Sequence, residues 1–277
     1  MKDDLPKIHF WPNLFTAGNL FCGSFAMMLL LHDPTNDPGN VAPERVKIVV
    51  NAIGLILLAC LFDLLDGRIA RAIGGESPFG REFDSLADIV SFGVAPALLM
   101  HHVVLDKMDS QGAGWFIAFA YLLCGAIRLA RFNCLAIMAS GKPSRDFTGC
   151  PIPAAAGVIC AVTLLLLDVG KKKIELGIWE WCLPALMILL SWLMVSKVRY
   201  PSFKGLSWKT KRTIPYFFAV IFVVALIIYK PYIMPAVIFV GYLFYGLIRP
   251  WVKREWRREI EEDPDEPDDP DEETRAA

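Results

Sequence analysis

Long apolar runs alternate with short polar segments along most of the chain. A transmembrane helix needs about 20 consecutive, mostly apolar residues, and eight runs approach that length. They cover residues 13–31, 46–73, 78–105, 114–132, 152–169, 179–195, 214–229 and 232–248. The pattern therefore predicts an all-α polytopic membrane protein with about eight transmembrane helices.

The composition agrees with this pattern, because 55% of the 277 residues are hydrophobic. Seven cysteines are scattered along the chain, most of them inside apolar runs, and they form no C-x-x-C pair. We therefore expect buried, reduced thiols rather than a disulfide framework or a zinc site.

The net charge of −1 hides an asymmetry along the chain. Eleven acidic residues lie between Glu259 and Glu273, in a proline-interrupted tail that we expect to be disordered. If the N-terminus is cytoplasmic, 21 of the 28 Lys and Arg residues fall on the cytoplasmic side. That bias follows the positive-inside rule, although a lysine cluster at 171–173 is an exception. We therefore expect a cell (inner) membrane protein with both termini in the cytoplasm.

Four aspartates stand between the second and third runs, in an otherwise apolar region. Gly74 and Gly75 favour a helix stop, and Ser77 and Pro78 favour the start of a new helix. This punctuation predicts two antiparallel helices joined by a tight turn, on the cytoplasmic side.

The spacing of the aspartates brings them to one depth of this hairpin. Asp63 and Asp66 share a face of the first helix, since they are three residues apart. Asp84 and Asp88 share a face of the second helix. Counted from the turn, Asp66 should face Asp84, and the other two should face each other one turn deeper. Four carboxylates so close predict a site for two divalent cations, Mg²⁺ or Mn²⁺, which suit phosphoryl displacement.

Each of these features also has a plainer interpretation. The aspartates could form a solvated helix end that pairs with nearby arginines. The small residues Gly67, Ala70 and Gly80 could let a substrate approach the backbone, or they could serve helix packing. Arg71 could hold a phosphate, or it could anchor the helix at the cytoplasmic surface.

The assembled pattern reads D-x2-D-G-x2-A-R-x8-G-x3-D-x3-D from Asp63 to Asp88. It resembles the complete signature of the CDP-alcohol phosphotransferase family. The segments PNLFTAGNLFCG, AIRLARFN, FTGCPIPAAAG and MVSKVRYPSFKG further resemble the phosphatidylserine synthase branch of that family. The resemblance implies a six-helix membrane core over 13–212. A cytoplasmic juxtamembrane segment (1–12) would precede it, and two additional helices (213–250) and a charged tail (251–277) would follow.

The resemblance also implies roles for individual residues. One metal would be bound by Asp63, Asp66 and Asp84. The second would be bound by Asp63, Asp84 and Asp88, and Asp88 would also be the catalytic general base. The CDP-linked substrate would be bound by Asn13, Thr16, Asp66, Gly67, Ala70, Arg71 and Gly80.

Polar residues near the end of the fourth run suggest an acceptor pocket. Arg128 and Arg131 share a helix face, and Asn133 follows them. They could receive the carboxylate of serine or a lipid phosphate. The alternative is that the arginines are only positive-inside anchors near the headgroups.

The resemblance implies transfer of a phosphatidyl group from CDP-diacylglycerol to L-serine, with release of CMP. Another acceptor, such as inositol phosphate or glycerol phosphate, and an archaeal ether-lipid donor are the alternatives. A cation transporter would spread its acids across the bilayer or repeat them, whereas these cluster in one hairpin. We expect membrane lipid as a partner, no nucleic acid, and a homodimer.

Overall fold

The computed structural model describes residues 10–32, 43–72, 77–108, 111–138, 146–171, 179–201 and 229–248. Within these residues, five helices are long and apolar enough to cross a membrane, and two shorter apolar helices accompany them. The protein is therefore an all-α polytopic membrane protein, as the sequence predicts. The predicted run at 214–229 lies almost entirely outside the described residues, as do most of segment 1–12 and all of the tail at 251–277.

The helices follow the predicted apolar runs, with ends that differ by a few residues. In chain order they are α1 (Phe10–Leu31), α2 (Pro43–Ala72), α3 (Pro78–Asp88), α4 (Ala95–Val103), α5 (Gln111–Met138), α6 (Ile152–Lys171), α7 (Trp179–Val195) and α8 (Met234–Ile248). The sequence did not predict two short antiparallel strands, β1 (Asp146–Thr148) and β2 (Arg199–Pro201).

The third run begins as a helix where Ser77 and Pro78 predict it, and it stays helical to Val103. Ser77 is the N-cap of α3, and its hydroxyl accepts a 3.0 Å hydrogen bond from the backbone N–H of Gly80. Pro78 occupies the first turn, where its missing N–H costs nothing. The confirmed helix start fixes the position of Asp84 and Asp88. The turn predicted at 74–76 lies outside the described residues.

A π-helical segment, Ile89–Val94, joins α3 to α4 directly after Asp88. Pro96 follows it, and in a regular α-helix its ring would clash with the carbonyl of Phe92 four residues earlier. The wider π turn relieves this clash, and the freed Phe92 carbonyl accepts a 3.1 Å hydrogen bond from the Tyr121 hydroxyl of α5. The proline therefore shapes the helix immediately beside an aspartate of the candidate site.

Helix α1 packs against both α2 and α3 and so supports the two aspartate-bearing helices. Helix α1 also contacts the π segment, where Gly23 lies directly against Ser91. A Cβ atom added to Gly23 would lie 2.6 Å from the Cα of Ser91, a distance that real Cβ atoms do not show. Small residues let helix backbones approach each other in this way inside membranes.

We expect Gly23→Ala to destabilise the protein by about 1–3 kcal/mol, the usual cost of overpacking. The neighbouring atom is backbone, so no side-chain rotation can make room for the new methyl group. Thermal unfolding in detergent measures the effect. Gly54→Ala is the matched control, because a Cβ there meets nothing within 4 Å in α2. Equal melting temperatures for the two variants would contradict the close contact.

The β1–β2 ribbon ties the loop before α6 to the end of α7. Gly149 adopts φ +87°, a conformation that favours glycine. Its N–H donates to the Val198 carbonyl at 2.8 Å, and the N–H of Cys150 donates to the Leu193 carbonyl at 3.1 Å. These bonds hold Cys150 and Tyr200 at the end of the helix bundle that carries the aspartates.

Candidate metal and substrate site

Three of the four predicted aspartates meet in one place. Carboxylate oxygens of Asp63 and Asp66 from α2 and of Asp84 from α3 all lie within 4.8 Å of one another. Asp66 is buried and the other two are half-buried. The fourth, Asp88, is buried one turn further along α3 and lies within electrostatic range of the other three, with Asp63 the strongest. The structure therefore brings the four carboxylates together.

Polar side chains of α1 hold two of these carboxylates. Thr16 is buried, and its hydroxyl donates to Asp66 Oδ2 at 2.9 Å and lies 3.2 Å from the Pro12 carbonyl. The fully buried Asn19 donates from Nδ2 to Asp88 Oδ1 at 3.2 Å. The backbone carbonyl of Asn19 accepts a 2.9 Å hydrogen bond from the Ser91 hydroxyl. One face of α1 therefore orients a carboxylate of each aspartate pair.

Asn19 is not among the site residues that the sequence predicts. The signal was nevertheless present, because Asn13, Thr16 and Asn19 recur every three residues within a long apolar run. That spacing places all three on one helix face. Polar residues so placed in a membrane helix indicate a functional face more often than a packing face.

We expect Asn19→Ala to lower kcat by about ten- to one-hundredfold, the range for losing a hydrogen bond to a charged group. The KM for the CDP-linked substrate should change little, because the contact is to Asp88 alone. Steady-state kinetics of the purified protein test this. Asn51→Ala on the exposed face of α2 serves as the control. A variant that keeps its kcat would show that Asn19 only fills space.

The small residues predicted to line the CDP site lie near the aspartates. Gly80 is in the first turn of α3, where an added Cβ would lie 3.3 Å from Asn13 Oδ1. The Asn13 Nδ2 atom is buried and has no hydrogen-bond partner within the described residues. Gly67 and Ala70 are half-buried on α2, and Arg71 is in the same helix with its side chain outside the described part. The N-terminal parts of α1 and α3 thus offer an unused amide donor beside the carboxylates.

The three residues of the predicted acceptor pocket separate into two groups. Arg128 is buried and lies within electrostatic range of Asp88. Arg131 is half-buried and donates to the Val195 carbonyl of α7 at 3.4 Å. Asn133 donates to the Ser85 hydroxyl of α3 at 2.9 Å. Only Arg128 therefore faces the aspartates here, whereas the other two join α5 to its neighbours.

The donor set fits a hard divalent cation. Asp63, Asp66 and Asp84 offer carboxylate oxygens only, which are the ligands that Mg²⁺ and Mn²⁺ prefer over soft metals. Burying several carboxylates without a cation would be costly, because like charges repel and lose their hydration. The three aspartates can therefore hold a divalent cation together.

Comparisons with known proteins agree with this arrangement. The family model described as CDP-alcohol phosphatidyltransferase matches residues 9–196. A CDP-diacylglycerol–serine O-phosphatidyltransferase of Helicobacter pylori (strain J99) is 36% identical over 245 residues, which cover 88% of this chain and 92% of the relative. The enzyme of the same name from Bacillus subtilis is 34% identical over 197 residues, 71% of this chain and 93% of its own.

An archaeal relative, the archaetidylserine synthase of Methanothermobacter thermautotrophicus, is 38% identical over 159 residues, 56% of this chain and 60% of its own. The family match includes all four aspartates and decides against the cation-transporter alternative. Because the family model matches more than half of the chain and spans the aspartate hairpin, the protein belongs to the CDP-alcohol phosphatidyltransferase family.

Proposed function

We propose that the protein transfers the phosphatidyl group of CDP-diacylglycerol to the hydroxyl of L-serine, giving phosphatidylserine and CMP. The observation that carries this proposal is the meeting of Asp63, Asp66 and Asp84 beside Asp88, at the spacing of the family signature. The names of the bacterial relatives support the choice of donor and acceptor.

Two divalent cations, Mg²⁺ or Mn²⁺, would occupy the carboxylate cluster. Asp63, Asp66 and Asp84 would hold the first, and Asp63, Asp84 and Asp88 would hold the second. When bound, such a pair stabilises the charge on the attacking and leaving oxygens of a phosphoryl displacement. The buried position of Asp66 and its hydrogen bond from Thr16 fix the carboxylate before a cation arrives.

Asp88 would act as the general base toward serine. A serine hydroxyl is a weak nucleophile at neutral pH, so its proton must leave as the oxygen attacks phosphorus. In a single in-line step, the new P–O bond to serine forms while the P–O bond to CMP breaks, and the proton passes to Asp88. Asn19 orients this carboxylate through its 3.2 Å hydrogen bond.

The donor and the acceptor would occupy opposite sides of the carboxylates. The nucleotide side would comprise Asn13, Thr16, Asp66, Gly67, Ala70, Arg71 and Gly80. The acceptor side would begin with Arg128, which lies within electrostatic range of the proposed base. Arg131 and Asn133 would shape that side through their contacts with α7 and α3.

The site would face the cytoplasm from the cell (inner) membrane. Contacts gather the start of α1, the end of α2, the start of α3 and the end of α5 at one end of the bundle. By the predicted order of the spans, the same end would carry most of the Lys and Arg residues of the chain, as expected for a cytoplasmic face. We also propose a homodimer, an expectation that follows from the family alone.

A second donor is compatible with the same site. The archaeal relative is named for an archaetidyl product, so an ether-linked CDP-lipid is the natural alternative to CDP-diacylglycerol. The residues proposed to bind the nucleotide would contact the headgroup region, which the two donors share.

Release of CMP by the purified protein tests the function. With CDP-diacylglycerol and Mn²⁺ or Mg²⁺, CMP should appear only when L-serine is added. Glycerol phosphate and inositol phosphate, tested in parallel, should give no comparable release. Release that depends on one of those acceptors and not on serine would overturn the choice of acceptor and leave the transfer chemistry in place.

A further inference from the structure

Helix α8 lies beyond the region that the family model matches, yet it packs closely against the core. It contacts α6 and β2. At Gly157 of α6 an added Cβ would run into the ring of Phe239, and at Gly246 of α8 it would run into the ring of Tyr200. In one contact α8 supplies the aromatic ring and in the other it supplies the glycine. The two contacts together fix the depth and rotation of α8, so this helix is an integral part of the bundle.

This packing brings Tyr242 near Arg128, and it brings Tyr200 against Tyr242 and Cys150, a second neighbour of Arg128. The rings of Tyr200, from β2, and Tyr242, from α8, are 5.8 Å apart between centroids. The hydroxyl of Tyr242 lies within electrostatic range of the Arg128 guanidinium, as does the carboxylate of Asp88. A residue outside the matched region thus reaches the arginine that faces the proposed base.

Two polar groups of this cluster have unused hydrogen-bonding capacity. Arg128 Nε and the Tyr200 hydroxyl are both buried. Within the described residues the first has no hydrogen-bond partner, and the second meets only the thiol of Cys150, a weak partner. Unsatisfied buried donors are rare, because each costs free energy unless a ligand or water completes it. Two of them in one cluster indicate that something else binds there.

The thiol next to them does not supply the missing negative charge. Burial raises the pKa of Cys150 to about 12, although Arg128 and the Tyr200 hydroxyl act in the opposite direction. Cys150 therefore stays neutral at physiological pH, and its sulfur lies 3.7 Å from the Pro151 carbonyl. The Arg128 guanidinium gains no counter-ion from this neighbour.

We infer that α8 completes the acceptor side of the site, where Arg128 and the Tyr200 hydroxyl bind the anionic group of the acceptor alcohol and Tyr242 positions them. This inference rests on the proposed function and deepens it. A carboxylate offers two oxygens, one for Nε of the guanidinium and one for the phenol hydroxyl. Both buried groups would then be satisfied in the complex.

The position of the cluster favours the acceptor over the phosphates of the donor. The residues of the family signature that are predicted to bind the nucleotide lie on α2 and on the first turn of α3. Arg128 interacts instead with Asp88, the carboxylate that must meet the incoming hydroxyl. An anion held at Arg128 would therefore belong to the molecule that brings this hydroxyl.

Tyr200→Phe tests the inference through the separate KM values of the two substrates. Removing the hydroxyl should raise the KM for L-serine by about tenfold, the lower range for a hydrogen bond to a charged group. The KM for CDP-diacylglycerol should stay within about twofold. The melting temperature should change little, because the lost hydroxyl meets only the weakly hydrogen-bonding thiol of Cys150 in the free protein. Tyr242→Phe should raise the KM for serine less, since it acts through Arg128 and Tyr200.

L-Serine methyl ester provides the matched test on the substrate, because it keeps the hydroxyl and lacks the carboxylate charge. Its KM should already be high with wild-type protein, and Tyr200→Phe should raise it no further. Tyr229→Phe, which removes an exposed hydroxyl just before α8, is the control and should leave both KM values unchanged.

Three outcomes would overturn the inference. An unchanged KM for serine in Tyr200→Phe would mean that water, and not the substrate, satisfies the hydrogen bonding of the Tyr200 hydroxyl. A raised KM for CDP-diacylglycerol alone would place a donor phosphate there. An equal effect of Tyr200→Phe on serine and on its ester would exclude contact with the carboxylate. If wild-type protein uses glycerol phosphate instead of serine, the serine assignment fails separately, and the same variants measured with that acceptor still decide the role of Tyr200.

Discussion

Asp84→Asn should lose more than about 100-fold in activity. Loss of a group that merely orients a metal ligand costs about 10- to 100-fold, and Asp84 is itself one of three carboxylates whose oxygens lie within 4.8 Å. It is also, together with Asp63, one of the two residues proposed to bind both cations. CMP release measures the loss, with Glu82→Gln, an exposed acid on the same helix, as the matched control.

The same substitution should separate metal binding from folding. A cation that binds only the folded protein raises its free energy of unfolding in proportion to the logarithm of the cation concentration. Mn²⁺ should therefore raise the melting temperature of wild-type protein. Without metal, Asp84→Asn should melt no lower than wild type, since it removes one of several like charges. If Mn²⁺ stabilised the variant and wild type equally, the aspartates would not form the metal site.

Asp88→Asn should lower kcat by about 10²- to 10⁴-fold, the usual contribution of a general base. Asparagine can still accept the hydrogen bond from Asn19 after rotation of its amide, but it cannot take a proton from serine. Stabilisation by Mn²⁺ should be reduced and not abolished, because Asp63, Asp66 and Asp84 remain.

Asp106→Asn, an exposed aspartate in the turn after α4, is the control for this substitution. It removes the same charge far along the chain from the carboxylate cluster and should leave kcat unchanged. Full activity of Asp88→Asn would exclude Asp88 as the base and would leave it at most a metal ligand.

Much of the fold follows directly from the sequence. The length of each apolar run predicts a membrane span. Inside the bilayer no water is available to the backbone, so a helix must satisfy the backbone hydrogen bonds within the segment. Ser77 and Pro78 fix the start of α3, since their chemistry suits an N-cap and a first turn. Once that start is known, the spacing of four aspartates is enough to predict that their carboxylates meet.

Features that depend on distant contacts could not be predicted in this way. The π segment needs both Pro96 and a hydroxyl from α5 to satisfy the Phe92 carbonyl. The β1–β2 ribbon joins segments about fifty residues apart, and its strands of three residues are too short to give a recognisable pattern. The role of α8 near Arg128 depends on how Gly246 receives the ring of Tyr200. The apolar pattern of α8 predicts that this helix is buried, but it does not predict which residues the helix contacts.

The site residues also divide into those that the sequence predicts and those that depend on contacts between distant parts of the chain. Spacing identified the aspartates, and the resemblance to the family placed Thr16 near them. Asn19 shares the three-residue spacing of Asn13 and Thr16, but its contact with Asp88 is seen only where α1 packs on α3. Arg131 and Asn133 share a short motif with Arg128, yet they contact α7 and α3 instead of facing the aspartates. Proximity along one helix was a poor guide there. Arg131 lies one turn further along α5 than Arg128, and Asn133 lies on another face of the helix, so each contacts a different neighbour.

Transfer with L-serine labelled by ¹⁸O in its hydroxyl tests the central claim most directly. If this hydroxyl displaces CMP from the lipid phosphorus, mass spectrometry of the products should find the label in the phosphatidylserine ester and none in CMP. The label should appear only when the divalent cation and Asp84 are both present. Label in CMP, or an unlabelled lipid product, would contradict attack by serine at this site.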